Sequence, residues 1–334
     1  MSNKYKSALV TGGAGFIGSH IADRLMKKGF DVTVLDNLDT GHVENLESHK
    51  NNGNFHFVKG DIRDLELVRK TLRNIDVVFH EAALASVTLS VQNPILSNDI
   101  NVTGTLNLLK ASSDLGVKRF IYASSAAVYG DTKTPEKRED LSTNPKSPYG
   151  ISKVAAEHYA KIFYKLYGLE TVSLRYFNVY GPRQRFDLDC AYGGVITIFI
   201  NRLLRNMSPV IFGDGEQTRD FIYISDVVEA NMLALDSKDA AAEVFNIGTG
   251  LGVSVNQIAE ILKNIMNKHE VANIYKDPRP ADGRHGYANI SKAAKILGFT
   301  PRTSITDGLV KLTDWYKSLP QFRRKHGKKC MLEK

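Results

Sequence analysis

Cysteine is scarce in this sequence, long apolar runs are absent, and charge of one sign dominates only one short stretch. Cys190 and Cys330 are the two cysteines in 334 residues. They cannot form a disulfide framework, so a reducing cytoplasm is the expected compartment. No uninterrupted apolar run approaches the roughly 18 residues of a membrane helix, and no membrane partner is expected. The first apolar run, Ala8-Leu9-Val10, stops at a glycine cluster and is too short for the core of a secretory leader, so none is expected. Glycine (26), proline (10) and an apolar content of 43% are ordinary for a globular chain, which excludes collagen-like, disordered and disulfide-scaffold classes. The formal net charge is +8, from 44 basic and 36 acidic residues. Six of those basic residues stand against Glu333 from Gln321 onward, giving +5 in fourteen residues and leaving +3 for the body. Such a tail is usually solvated, and the body does not read as a nucleic-acid surface.

What is present is an alternation of strand-like and helical patterns. Apolar runs end at chemically useful residues: Ala8-Leu9-Val10 at Gly12, Val32-Thr33-Val34-Leu35 at Asp36, and Phe55-His56-Phe57-Val58 at Gly60-Asp61. Val77-Val78-Phe79 ends at His80, Phe120-Ile121-Tyr122 at Ser124, and Val172-Ser173-Leu174 at Arg175. Short runs apolar on both faces, separated by stretches of helical spacing such as residues 95–115, predict an α/β fold with a doubly wound parallel sheet. Ligands bind such sheets at the carboxyl ends of the strands. The pattern loosens near residues 178–182, where the first domain boundary falls. Residues 187–194 read as loop, and helices are predicted over 195–206, 258–266, 293–297 and 309–316. Val244-Phe245-Asn246-Ile247 reads as a strand returning to the first sheet. At 334 residues the chain has room for two domains, or for one domain with a lobe, at roughly 100–200 residues each.

Gly12, Gly15 and Gly18 follow the first strand and open a helix over 17–28. That arrangement provides a tight turn, close backbone approach to a pyrophosphate, and a helix N-terminus for the phosphates. Asp36 closes the second strand eighteen residues after Gly18 and is placed to accept both ribose hydroxyls. Asn37, Leu38 and Asp39 bring no cation for a 2′-phosphate, so NAD rather than NADP is expected. Asp61-Ile62 is placed to touch the adenine; a plain strand-terminating turn is the alternative. Tyr149 and Lys153 lie one helical turn apart after Pro148, and a cation beside a phenol favours the phenolate.

With Ser124-Ser125 at a strand end added to these motifs, the chain resembles an extended short-chain dehydrogenase/reductase and, within that family, the nucleotide-sugar 4-epimerases. The matching stretches include His80-Glu81-Ala82-Ala83, Asn101, residues 124–130, residues 149–153, residues 174–181, Gly213-Asp214-Gly215 before Arg219-Asp220, and residues 279–292. The resemblance implies a Rossmann-type sheet over residues 1–178, completed by a strand and helix around 222–247. It further implies a smaller α+β substrate-binding lobe over 179–320 and a basic tail over 321–334.

It implies roles as well. Tyr149 would be the acid–base, Lys153 would bind the nicotinamide ribose and lower the tyrosine pKa, and Ser125 would hydrogen-bond the reacting sugar oxygen. NAD would contact Gly12, Gly15, Phe16, Ile17, Gly18, Asp36, Asn37, Asp61 and Ile62. Ala82, Ala83, Asn101, Tyr149, Lys153 and Tyr176 would complete that site. The UDP-sugar would meet Ser86, Ser125, Tyr149, Asn178, Val195 and Phe212, with Arg219 and Arg279 on its diphosphate and Asp282 near the uridine ribose. Glu81, at a position variable in the family, is read as structural. No metal is assigned.

Related dehydratases need an Asp-Glu pair, and decarboxylases a Glu, where this chain has Ala126 and Ala127; methyl groups transfer no protons. That leaves C4 epimerisation. The position that gates the sugar C2 side in the family is Gly286, and its small size favours UDP-N-acetylglucosamine alongside UDP-glucose. A glycine required there for positive φ is the competing explanation. A UDP-glucose-restricted epimerase and a UDP-glucuronate 4-epimerase are the alternatives, with a 4-reductase and a non-catalytic NAD-binding protein further away. A homodimer through helices around 98–115 and 149–167 is expected. Leu106, Leu109, Ala155, Tyr159 and Phe163 allow it, although interior packing explains them equally.

Overall fold

The β-branched and aromatic runs form seven parallel strands: β1 Ser7–Thr11, β2 Asp31–Asp36, β3 Phe55–Lys59, β4 Val77–His80, β5 Arg119–Ser125, β6 Glu170–Tyr176 and β7 Glu243–Ile247. The computed structural model describes residues 5–130, 132, 134–184, 194–278 and 284–319. The strands lie in the order β7-β6-β5-β4-β1-β2-β3. The winding therefore reverses between β1 and β4, where crossovers leave on opposite sides and open a crevice at the carboxyl edge. Register sets Thr11 beside His80 and Ser125 beside Tyr176 on that edge.

Side-chain alternation divides the core between the two faces of this sheet. Leu9, Leu35, Val78 and Phe120 belong to one buried cluster, and their neighbours Val10, Val34, Phe79 and Ile121 to the other. Helix Phe16–Lys27 buries Ile21, Ala22 and Leu25. Helix Pro148–Tyr167 has proline in its first turn, the Ser147 side chain accepting the Gly150 N–H at 3.1 Å, and Gly168 ending it at φ 72°.

The helical stretch predicted over 95–115 is not one regular helix. Pro94–Asn98 and Gly104–Asp114 are joined by a wide π-type turn at Asp99–Thr103, a local insertion of the kind often found at functional sites. It turns Asn101 inward, where Nδ2 donates to Ser152 at 3.0 Å and Oδ1 accepts the Leu84 N–H at 2.8 Å.

After β6 the chain enters the smaller lobe. Asn178–Tyr180 pairs parallel with Phe221–Tyr223, and Val210–Phe212 with Ile274–Lys276. Helices Val195–Leu204, Val255–Met266 and Ile305–Ser318 cover these short strands. In between, helix Ile224–Asp236, within the stretch 222–247 read as a returning strand and helix, carries the chain back to the sheet as β7, parallel to β6. Arg119, 1% exposed, fastens that helix: its Nη1 donates to the carbonyls of Ala234 (2.9 Å), Leu235 (2.9 Å) and Ser237 (2.6 Å), while Nη2 holds Glu170 at 2.7 Å. A cation at this end complements the helix dipole.

Two of the residues considered for an oligomer face are interior instead. Leu109 and Phe163 are buried because each packs in the sheet's second core cluster. Tyr159, together with Ile151, Ile162 and Leu166 on the same helix, is exposed, as are Val87, Val91 and Ile95. Among the described residues no helix is long and apolar enough to cross a membrane.

Candidate active site

The turn after β1 is built for close approach. Gly12 has φ +66°, and a Cβ there would lie 2.8 Å from the Ala82 nitrogen. A Cβ on Gly18 would overlap the Gly12 carbonyl. Helix Phe16–Lys27 starts without a side-chain cap and without an acidic residue in its first turn. Its partly positive end therefore faces a cleft of about 340 Å³ lined by Gly12, Gly15, Phe16, Ile17 and Gly18. Ala82 and Ala83 form the opposite wall. Such an end suits an anionic group, and a side chain at Gly12 or Gly18 would collide with neighbouring backbone.

Asp36, Asn37, Asp61 and Ile62 line the far end. The Asp36 carboxylate is 7% exposed and accepts the Ala14 N–H (2.9 Å) and the Leu38 N–H (2.8 Å), one on each oxygen. Each oxygen keeps a lone pair. Burial pushes its pKa above the ordinary carboxylate value, opposed by those two N–H donors. Asp61 is held down to about 2 by Arg63, which grips both oxygens at 2.9 and 2.8 Å, while Asn37 donates at 3.2 Å. Asp61 is thus largely engaged with protein partners. Asp36→Ala is expected to weaken NAD binding and to relax the exclusion of NADP; binding isotherms for both cofactors check it, and unchanged NAD affinity with unchanged NADP rejection would refute the ribose role.

Ser125 ends β5 beside Tyr149, where its hydroxyl favours the phenolate; its Oγ accepts the Ala127 N–H at 3.1 Å. Lys153, 3% exposed, donates to the Ala123 carbonyl at 2.7 Å, and its ammonium lies 5.8 Å from the Tyr149 ring centre. Burial pushes Lys153 down to about 8, while Glu81 and Glu157 favour its charged form. Tyr149 is shifted upward: burial raises it, the Ser125 hydroxyl lowers it, and the Glu81 charge raises it again. The lowering expected from Lys153 does not set the direction here; desolvation of the phenolate does. His80 is a core residue. Thr11 and Thr105 bond its two nitrogens at 2.7 and 2.8 Å, and burial drives it down to about 3.

A second cavity, about 770 Å³, opens into the smaller lobe and shares Ala85, Val179 and Gln184 with the first. Ser86, Asn178, Val195, Phe212 and Arg219 line it. Ser86 also caps the following helix by accepting the Leu89 N–H at 3.2 Å. Asn178 donates from both its backbone and its side chain to the Asp220 carbonyl, at 3.0 and 2.9 Å. Arg279 and Asp282 lie outside the described residues. Gly286 does not have positive φ, so backbone conformation does not demand glycine there. A Cβ on it would meet only the Lys137 Cε, at 3.6 Å.

Asn101 braces Leu84 and Ser152 behind the cleft rather than reaching into it. Sequence reasoning placed Asp220 in a matching stretch without giving it a role; its carboxylate gathers Thr249 N–H (2.8 Å), Gly250 N–H (2.9 Å) and Ala288 N–H (3.0 Å) and so ties Arg219 to the strand beside Gly286. Its adjacency to Arg219 was the available signal. Glu81 was also undervalued, since it lines the first cleft and bonds Tyr176 at 3.0 Å. Among the described residues no group of three His, Cys, Asp or Glu side chains is placed to hold a metal ion.

Comparison with known proteins is consistent with this geometry. A family model described as the NAD dependent epimerase/dehydratase family matches residues 8–248. A putative UDP-glucose 4-epimerase of Methanocaldococcus jannaschii is 44% identical over 312 residues, covering 93% of this chain and 98% of its own. The solved UDP-N-acetylglucosamine 4-epimerase of Methanobrevibacter ruminantium, in complex with UDP-N-acetylmuramic acid, superposes with a TM-score of 0.89 at 40% identity, covering 94% of this chain and 99% of its own. UDP-glucose 4-epimerase of Thermotoga maritima, solved with UDP-glucose, gives 0.87 at 43% identity, covering 93% and 98%.

Proposed function

This chain belongs to the NAD dependent epimerase/dehydratase family, and from that premise we propose that it inverts C4 of a UDP-hexose through a 4-keto intermediate. UDP-N-acetylglucosamine and its galacto epimer are the principal pair, with UDP-glucose and UDP-galactose as a second. The enzyme is an NAD-dependent isomerase. NAD, when bound, supplies the oxidation at C4 and its reversal; the protein supplies the rest.

The observation that carries the reading is the gathering of Ser125, Tyr149 and the Lys153 ammonium, 5.8 Å from the Tyr149 ring centre, with Ala126 and Ala127 after Ser125 instead of a second acid–base pair. Tyr149 takes the C4 hydroxyl proton as the ketone forms and returns it when the opposite face is reduced. Ser125 holds the same oxygen. Asp36 takes the adenosine ribose, and Arg219 with Arg279 takes the diphosphate by bidentate contact. Residues 179–320 act as the substrate lobe, where Phe212 and Asp282 meet the uridine and Ser86, Asn178 and Val195 border the sugar. The second cavity gives a ketosugar room to turn.

Gly286 supports the N-acetyl assignment, because no left-handed backbone requires glycine at that position. The test is separate incubation with UDP-glucose, UDP-N-acetylglucosamine and UDP-glucuronate, following each C4 epimer. Interconversion of the N-acetyl pair is expected, and conversion of UDP-glucuronate alone would overturn the assignment. The exposed Ile151, Ile162 and Leu166 beside Val91 and Ile95 make a homodimer the expected assembly, which sedimentation would show as twice the mass of one 37.1 kDa chain.

A further inference from the structure

Glu81 has no part in the chemistry described above, yet its position is unusual. It follows β4 directly, and its backbone N–H bonds the Thr11 carbonyl at 3.2 Å. Asp36, Asp39, Asp61 and Glu81 all line the first cleft, and Glu81 is the one whose charge is felt by both Tyr149 and Lys153. Its Oε1 accepts the Tyr176 hydroxyl at 3.0 Å, and Asn231 on helix Ile224–Asp236 donates to that same hydroxyl at 2.8 Å. The carboxylate is therefore fixed in direction.

The groups around it come from four elements. Helix Pro148–Tyr167 presents Lys153, Tyr149 and Glu157; β5 presents Tyr122, β6 presents Tyr176, and β4 ends in the neutral His80. Lys153 is the cation among them, and its attraction for Glu81 runs in both directions. Lys153 is also drawn by Glu157, but that carboxylate is engaged by Arg175 at 2.9 and 2.7 Å. Glu81 has no such guanidinium. Burial pushes it up to about 7, so its charge changes near neutrality.

We propose that Glu81 is a positioning residue of the redox centre: its carboxylate opposes the Lys153 ammonium, holds the Tyr176 hydroxyl, and makes the site hold oxidised NAD, with its cationic ring, in preference to the reduced form. The inference rests on the reading that NAD binds here with its reactive ring beside Tyr149. One unit charge in a site of reduced dielectric shifts such a preference by roughly tenfold. The same charge disfavours the Tyr149 phenolate, so removing it lets the tyrosine ionise at lower pH.

The test titrates cofactor-stripped protein with NAD and NADH by calorimetry between pH 5.5 and 8.5. In the wild type the ratio Kd(NADH)/Kd(NAD) is expected to rise about tenfold as pH passes through the neutral range and Glu81 becomes anionic. Glu81→Gln, which keeps an acceptor for Tyr176, should show a low ratio without that rise, and the rising limb of its pH–kcat/KM profile should move down by about one unit. A purely structural role would weaken both cofactors together, leaving the ratio within twofold of wild type, and that result overturns the proposal. If Glu81→Gln does not fold, a wild-type ratio flat from pH 5.5 to 7.5 overturns it equally. The binding ratio needs no turnover. Failure to convert any UDP-sugar would remove the epimerase reading alone, and normal conversion with an unmoved ratio would remove this one alone.

Discussion

Tyr149→Phe is expected to keep the fold and NAD binding while lowering kcat by about 10²–10⁴-fold, the usual contribution of a positioned acid–base. Only the hydroxyl oxygen is lost. The ring stays at the start of helix Pro148–Tyr167, and Lys153 keeps its bond to the Ala123 carbonyl. Ser125 still accepts the Ala127 N–H. The upward shift of Tyr149 adds that wild-type kcat/KM should climb with pH on the alkaline side of neutrality, as the phenolate fraction grows. A variant that retains more than about a tenth of wild-type kcat places the base elsewhere.

Gly286→Tyr should separate the substrates. A phenol introduced beside the sugar C2 collides with an acetamido group but leaves space for a hydroxyl. Overpacking of this kind costs about 1–3 kcal/mol, or roughly ten- to two-hundred-fold in rate at about 1.36 kcal/mol per factor of ten. Activity on UDP-N-acetylglucosamine should fall by that factor while UDP-glucose is largely spared. The first atom of the new side chain meets only the Lys137 Cε at 3.6 Å, and the backbone at Gly286 is not left-handed, so the loop itself should tolerate tyrosine. The measurement is kcat/KM on both substrates, and an equal fall on both would sink the gate.

The sheet and the cofactor turn were legible because they are written locally. β1 to β6 are short runs apolar on both faces, and Gly12, Gly15, Gly18 and Asp36 lie within one strand–helix–strand unit. Tyr149 and Lys153 declare themselves by one helical turn. The roles that sequence reading missed depend on distant partners. Glu81 acquires its meaning from Tyr176, and Asp220 from Thr249 and Ala288. Asn101 carried a motif but not its direction, which the wide turn at Asp99–Thr103 sets. For Leu109 and Phe163 the sequence left interior packing and an oligomer face equally open, and burial decides for the interior, because helical periodicity marks an apolar stripe without saying whether sheet or solvent lies beyond it.

The late arrival of β7 bears on how the chain reaches this state. During synthesis β6 is complete at Tyr176, but its outer neighbour, Glu243–Ile247, is made only after much of the smaller lobe. Until then β6 is an open edge, offering unpaired backbone groups to any passing strand. Arg119 waits as well, since the carbonyls it caps belong to residues 234, 235 and 237. A fragment ending at residue 178 would therefore carry a raw edge and an Arg119 left with Glu170 but without its three carbonyl partners, and should aggregate rather than bind NAD. The contacts that close the sheet are long in sequence, which slows folding.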